Sequence, residues 1–155
     1  MQAAAPNPGP WLATFSIALA HAGNYDSTMD DLSLQWAERA QYDLDTADAM
    51  FKAERYLYVL FCCQQAVEKA LKAVIVKKTA ELPPRIHNLL RLAETAGVES
   101  DQEQIHLLTR LSGYYIQSRY PEEIKAGGAI ITRELAQEVL GKAEQTVKCV
   151  LSTLK

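Results

Sequence analysis

With 155 residues, 48% of them hydrophobic, the chain is long enough to bury one core of its own and needs neither a disulfide nor a bound group to do so. Its formal charge of −3 and pI near 5.6 remove any case for nucleic-acid binding by bulk electrostatics, leaving a local basic patch as the only route to it. No run reaches the roughly 20 apolar residues that cross a bilayer, so no membrane association is expected.

The first stretch, Met1–Thr28, is rich in proline and small residues and compels no packed element, although Trp11–Ala22 could form a short helix. Trp11–Ala20 followed by Ala20-His21-Ala22 imitates a secretory h-region and cleavage site. No Lys or Arg precedes Arg39, however, so the positive flank of such a signal is missing. Residues 1–29 are expected to be a flexible or disordered leader, a possible upstream extension before Met29, with residues 30–155 as the folded domain. The expected location is cytoplasmic.

From Asp30 or Asp31, both suitable N-caps, Trp36, Ala40, Leu44, Ala47 and Phe51 recur every three or four residues and predict a helix over about 31–51. The short link Lys52–Arg55 makes the following helix its antiparallel neighbour. That second helix, Tyr56–Lys78, organises the rest: Val59, Leu60, Cys62, Cys63, Ala66, Val67, Ala70, Leu71, Ala73 and Val74 fill half of its helical wheel. On the other half Gln64, Gln65, Glu68, Lys69 and Lys72 form a polar island, bracketed by Leu57, Tyr58 and Phe61 before it and Ile75 and Val76 after it. An ordinary solvated face has no such apolar ends.

Lys77 and Lys78 suit the negative end of that helix, and Pro83-Pro84 prevents it from continuing. His87–Ala96 predicts a short third helix closed by Gly97, and Ser100-Asp101-Gln102-Glu103 reads as a capping box opening a fourth over about 101–118. Its repeats are Ile105, Leu108, Leu111 and Tyr115, with Leu107 and Tyr114 on the neighbouring edge. Pro121 ends it, Gly127-Gly128 makes a loop, and from about Thr132 the stripe Ala136, Val139, Leu140, Ala143, Val147, Val150, Leu151 and Leu154 predicts the last helix. With no period-2 run of useful length, the fold expected is all-α, an antiparallel four-to-five-helix bundle without a sheet.

Signatures of catalysis are sparse. There is no glycine-rich phosphate loop, HExxH, CxxC pair or nucleophile elbow, and neither a metal nor a cofactor is expected. The three cysteines, Cys62 and Cys63 adjacent and Cys149 distant, read as reduced, buried thiols. His106 reads as a surface residue. His87, after the Pro-Pro turn, suits either a hydrogen bond to loop backbone or a binding role. Arg119, one turn beyond Tyr115 and followed by Tyr120 and Pro121, could hold a guanidinium over a groove or serve the helix dipole. Glu68 and Lys72, at i and i+4, would by default be a surface pair worth roughly 0.3–0.5 kcal/mol, a reading that their apolar bracketing discounts.

Three ordered motifs together, Gln64-Gln65-Ala66-Val67-Glu68-Lys69-Ala70-Leu71-Lys72-Ala73, then Pro83-Pro84-x-x-His87-x-Leu89, then Tyr115-x-x-x-Arg119-Tyr120-Pro121, resemble the HEPN domain (higher eukaryote and prokaryote nucleotide-binding) over about Asp30–Leu154. The resemblance implies a bundle of HEPN type, a homodimer, and a minimal nucleotidyltransferase as partner in a toxin–antitoxin-like pair. Active members are metal-independent ribonucleases using an Arg followed after four to six residues by His. Here Ile124, Lys125 and Ala126 occupy those positions after Arg119, and no other arginine has a histidine at that distance. The implied function is therefore binding of a nucleotide or RNA phosphate without the usual ribonuclease site. Arg119, Tyr120, Tyr115, Lys69, Lys72, Glu68 and His87 are the ligand-binding candidates, and Arg119 and His87 are the only candidates for catalysis. The alternatives are a ribonuclease toxin with a substituted active site and a purely structural dimeric module.

Overall fold

The computed structural model describes residues 11–120 and 131–155, with side chains from residue 27 onward. Five helices make up the described chain: α1 (Trp11–Lys52), α2 (Tyr56–Thr79), α3 (Leu89–Ala96), α4 (Gln102–Gln117) and α5 (Arg133–Ser152). No strand occurs among the described residues, and the architecture is the expected all-α bundle. No described helix is long and apolar enough to cross a membrane.

Contacts along the helices fix their directions. Asp30 pairs with Lys77, Ser33 Oγ donates to the Ala73 carbonyl at 2.9 Å, and Phe51 meets Tyr56, so α1 and α2 run antiparallel. Glu103 and Arg110 of α4 reach Lys142 and Glu138 of α5, again in opposite senses. Phe61 meets Tyr115 near one end of the α2–α4 seam, while Leu71, Gln104 and Leu108 line a recess at the other. Thus α2 and α5 point one way, and α1 and α4 the other.

The reason is burial. Fifteen residues of α2 are buried on all sides of the helix, because α1, α3, α4 and α5 each pack against it. Ala40, Ala47, Ala66, Ala70 and Ala73 are fully enclosed, and their small side chains let the backbones approach closely. Leu60, Leu71, Leu89, Leu92 and Leu111 fill the space between, each contributing roughly 1.5–3 kcal/mol relative to exposure. The stripe expected for α5 is buried at Ala136, Val139, Leu140, Ala143, Val147 and Val150, with Leu151 and Leu154 packed at its margin.

Four expectations need correction. The first helix begins at Trp11 rather than Asp31: no proline interrupts the chain after Pro10, and Asp30 pairs with Lys77 instead of capping. Residues 1–10 of the leader expected over 1–29 lie outside the described residues, as do the side chains up to residue 26, while the backbone from Trp11 onward belongs to α1. The α4 cap sits one residue later than predicted, with Asp101 accepting from the Gln104 N–H at 2.8 Å and Gln104 Oε1 accepting from the Asp101 N–H at 3.1 Å. Ile105 is exposed, since Leu107 takes the inward position on that turn. Cys149 is exposed, because it lies beside the buried Val147–Val150 row rather than on it; Cys62 and Cys63 are buried as expected, and burial raises both thiols.

Candidate functional site

The polar island of α2 is not a solvated face. Gln64 is fully enclosed, and Glu68 and Lys72 are each only 5% exposed. Lys72 Nζ donates to Glu68 Oε1 at 2.8 Å, and Gln64 Nε2 donates to Glu68 Oε2 at 2.9 Å. These three side chains occupy one i, i+4, i+8 row, so a single helix delivers a cation and an amide to the same carboxylate. The Lys72 ammonium also lies 5.4 Å from the centre of the Trp36 ring on α1.

The segment between α2 and α3 brings the fourth group. Ala80 ends α2 in the left-handed conformation, Pro83-Pro84 follows, and Asn88 caps α3 by accepting from the Arg91 N–H at 3.0 Å. The Leu89 N–H donates to Ser112 Oγ on α4, which fixes the start of α3 against that helix. His87, one residue before the cap, is thereby held with Nδ1 at 3.1 and 3.2 Å from the two Glu68 oxygens, while its carbonyl accepts from Gln64 at 3.4 Å. Burial alone would raise the Glu68 carboxyl, but hydrogen bonds from Lys72, Gln64 and His87, with the Lys72 charge, outweigh it and hold the group below the usual carboxylate range.

The imidazole opens this buried cluster to solvent, its side chain being 49% exposed. Its ring stacks on Tyr115 with centroids 4.5 Å apart at 20°, and the Arg119 guanidinium carbon lies 4.3 Å from the same ring centre. Phe61 of α2 adds a second stacked ring, 6.3 Å from Tyr115. One phenol thus gathers a histidine from the α2–α3 segment and an arginine from the end of α4.

Of the residues singled out in the sequence, Glu68, Lys72, His87, Tyr115 and Arg119 are brought together. Lys69 is turned away, paired with Asp43 on α1. Tyr120 follows Arg119 and is 53% exposed. His106 is exposed on α4. Gln64 belongs to the cluster as well, beyond its place in the island, and its i, i+4 spacing to Glu68 is the sign of this in the sequence. Lys77 and Lys78 lie in the last turn of α2, and Lys78 also donates to the Ala96 carbonyl at 2.7 Å, closing α3. Among the described residues no group of three His, Cys, Asp or Glu side chains could hold a metal.

Tyr115, covered by His87, Arg119 and Phe61, orders the two polar groups, and the Arg119 guanidinium can hold an anion while His87 can exchange a proton or a hydrogen bond. No curated protein matches the chain. The crystal structure of TT1696 from Thermus thermophilus is similar, with 25% identity, a TM-score of 0.67, and coverage of 79% of this chain and 98% of that one. A family model described as the HEPN domain matches residues 33–153, which include every residue of the cluster, and the chain therefore belongs to the HEPN domain family.

Proposed function

We propose that the chain binds a nucleotide or RNA phosphate at the face formed by His87, Tyr115 and Arg119, and that it acts in the cytoplasm as a homodimeric partner of a minimal nucleotidyltransferase in a toxin–antitoxin-like pair. The observation that carries the binding part is the convergence of His87 and Arg119 on one partly exposed phenol ring, at 4.5 and 4.3 Å. A guanidinium supplies directed donors to a phosphate, and Tyr120, next to it and 53% exposed, supplies a stacking surface for a base. The pairing and the dimer rest on membership of the family.

Calorimetry with a short oligoadenylate tests the binding part. Arg119→Ala should weaken the affinity by about tenfold or more, given that charged hydrogen bonds contribute roughly 1.5–3 kcal/mol. Unchanged affinity, or no binding by the unmodified protein, removes this reading. Recovery of a nucleotidyltransferase with the tagged protein from its native host tests the pairing.

A second reading, a ribonuclease with a substituted active site, is favoured by one observation: Glu68 holds an imidazole against the same ring that Arg119 covers, although the chain lacks the Arg-x4-6-His spacing. It requires growth arrest on expression that Arg119→Ala relieves. Arrest that persists in that variant, or no arrest at all, eliminates it.

A further inference from the structure

Away from the His87 face, one polar group stands without a partner. Trp36 Nε1 is enclosed, and nothing among the described residues accepts its hydrogen. A buried N–H left unpaired has lost its hydration without replacement, and native structures keep few such groups unless a ligand or ordered water completes them. Trp36 belongs to the α1 row Leu32, Gln35, Trp36 and Arg39, spaced i, i+3, i+4 and i+7. With Glu38 and with Lys69 of α2, that row lines a groove of about 540 Å³, the size of a small-molecule site. None of these lining residues belongs to the face formed by His87, Tyr115 and Arg119.

The hydrogen-bonding inventory of the groove is one-sided. An indole N–H, a guanidinium and an ammonium only donate. Arg39 is exposed and meets no acidic side chain among the described residues, its guanidinium carbon lying 6.0 Å from the Tyr42 ring centre. Lys69 gives one hydrogen to Asp43 and keeps two. Against these donors stands a single acceptor-only side chain in the lining, the exposed Glu38 carboxylate. What the groove lacks is therefore an acceptor.

Charge and shape narrow the class. Asp43 already neutralises Lys69, which leaves Arg39 as the uncompensated cation of the lining and suits one negative charge better than two. Leu32 and the indole ring supply apolar wall. Trp36 and Arg39, three residues apart on one helix, are surface neighbours within reach of one planar anion. Reaching the enclosed N–H requires a neighbouring side chain to give way. Gln35 and Arg39 are exposed and make no hydrogen bond among the described residues, so neither is anchored. We infer that this groove between α1 and α2 binds a small monocarboxylate with an apolar body, the carboxylate accepting from Trp36 Nε1 and from the Arg39 guanidinium. It is a second site, and it does not rest on the phosphate-binding reading above.

The test follows the Trp36 indole N–H by proton–nitrogen NMR in the full chain carrying Trp11→Phe, which leaves one indole. Hexanoate is the probe, hexanamide its uncharged twin, inorganic phosphate the more highly charged oxyanion, and sodium chloride the control for ionic strength. Hexanoate should move the indole resonance saturably, with a dissociation constant in the millimolar range expected of so small a ligand. Hexanamide should bind at least about tenfold more weakly, and Arg39→Ala should weaken hexanoate by about tenfold or more, the worth of a charged hydrogen bond. Arg119→Ala, which should lose oligoadenylate, should bind hexanoate as before. A resonance that does not saturate, or that moves equally with chloride, overturns the site. Equal binding of hexanamide, or undiminished binding by Arg39→Ala, overturns the role of charge. Tighter binding of phosphate than of hexanoate overturns the monocarboxylate class. Loss of the hexanoate response in Arg119→Ala places the ligand on the other face and overturns the inference.

Discussion

Two Glu–Lys pairs in this protein share the same i, i+4 spacing and the same order along a helix, yet they belong to different physical regimes. Glu68 and Lys72 on α2 meet at 2.8 Å with side chains 6% and 7% exposed, whereas Glu138 and Lys142 on α5 meet at 3.2 Å with 46% and 36% exposure. The exposed pair belongs to a chain of charges, Glu103, Lys142, Glu138 and Arg110, that links α4 to α5 at the surface. Water solvates each of these groups well in any arrangement, so the pair adds little. Inside the bundle neither member can recover its hydration once the other is gone. The lesson is that spacing tells which side chains meet, and burial tells what the meeting is for: the surface pair is incidental, and the interior pair holds the carboxylate that meets His87.

Removing one charge from each pair should separate them most. Lys72→Met leaves the Glu68 carboxylate enclosed without its cation and should lower the unfolding free energy by about 3–5 kcal/mol in a urea titration. The double change Glu68→Leu with Lys72→Met should recover most of that loss, and failure to recover would mean that Lys72 acts through its packing on Trp36 rather than through its charge.

Acid sharpens the contrast with a smaller effect. The folded state holds the Glu68 carboxyl below its ordinary range, so the unfolded chain takes up this proton at a higher pH than the folded one. The stabilisation is complete above the unfolded value, near pH 4.3, and is lost as pH falls through the folded value. Between about pH 5 and pH 3 the native protein should lose stability more steeply than Glu68→Gln. Glu138 is also held low, chiefly by its hydrogen bond from Lys142, but it is solvated. In physiological salt Glu138→Gln should leave the acid limb as it was. Equal slopes for the native protein and Glu68→Gln would show that the interior carboxylate does not govern acid sensitivity.

The smallest effect is expected at the surface. Lys142→Met should leave the melting temperature within experimental error at physiological salt, and any small loss at low salt should disappear when salt is added.

Much of this contrast was open to a reader of the sequence alone. The apolar half-wheel of α2, the Pro83-Pro84 stop and the α5 stripe place the bundle, because burying those rows contributes most to folding and their period is unambiguous. The bracketing of Glu68 and Lys72 by apolar turns was a real sign of enclosure. Lys69 was less legible: one residue after Glu68 rotates by 100°, enough to carry it from the His87 side to Asp43 on α1, and only the crossing of the helices decides where that boundary lies. The Asp101 cap was missed by one position because Ser and Asp, like Glu and Gln, are equivalent in such a motif. Convergence of His87 and Arg119 on Tyr115 depends on α3 and α4 docking together; the sequence offers these residues as candidates but not their meeting. Cys149 could have been read correctly, since the row of Val147, Val150 and Leu151 already excludes its side of α5.

The shared direction of α2 and α5 also governs how the molecule is made. Two co-directed neighbours cannot be joined by a tight turn, and here the whole of α3 and α4 intervenes between them. During synthesis α1 and α2 can pair as soon as both have emerged, but the side of α2 that receives α5 stays uncovered until the last helix has been made. For that interval an apolar surface intended for a core is open to the cell's chaperones and to other nascent chains.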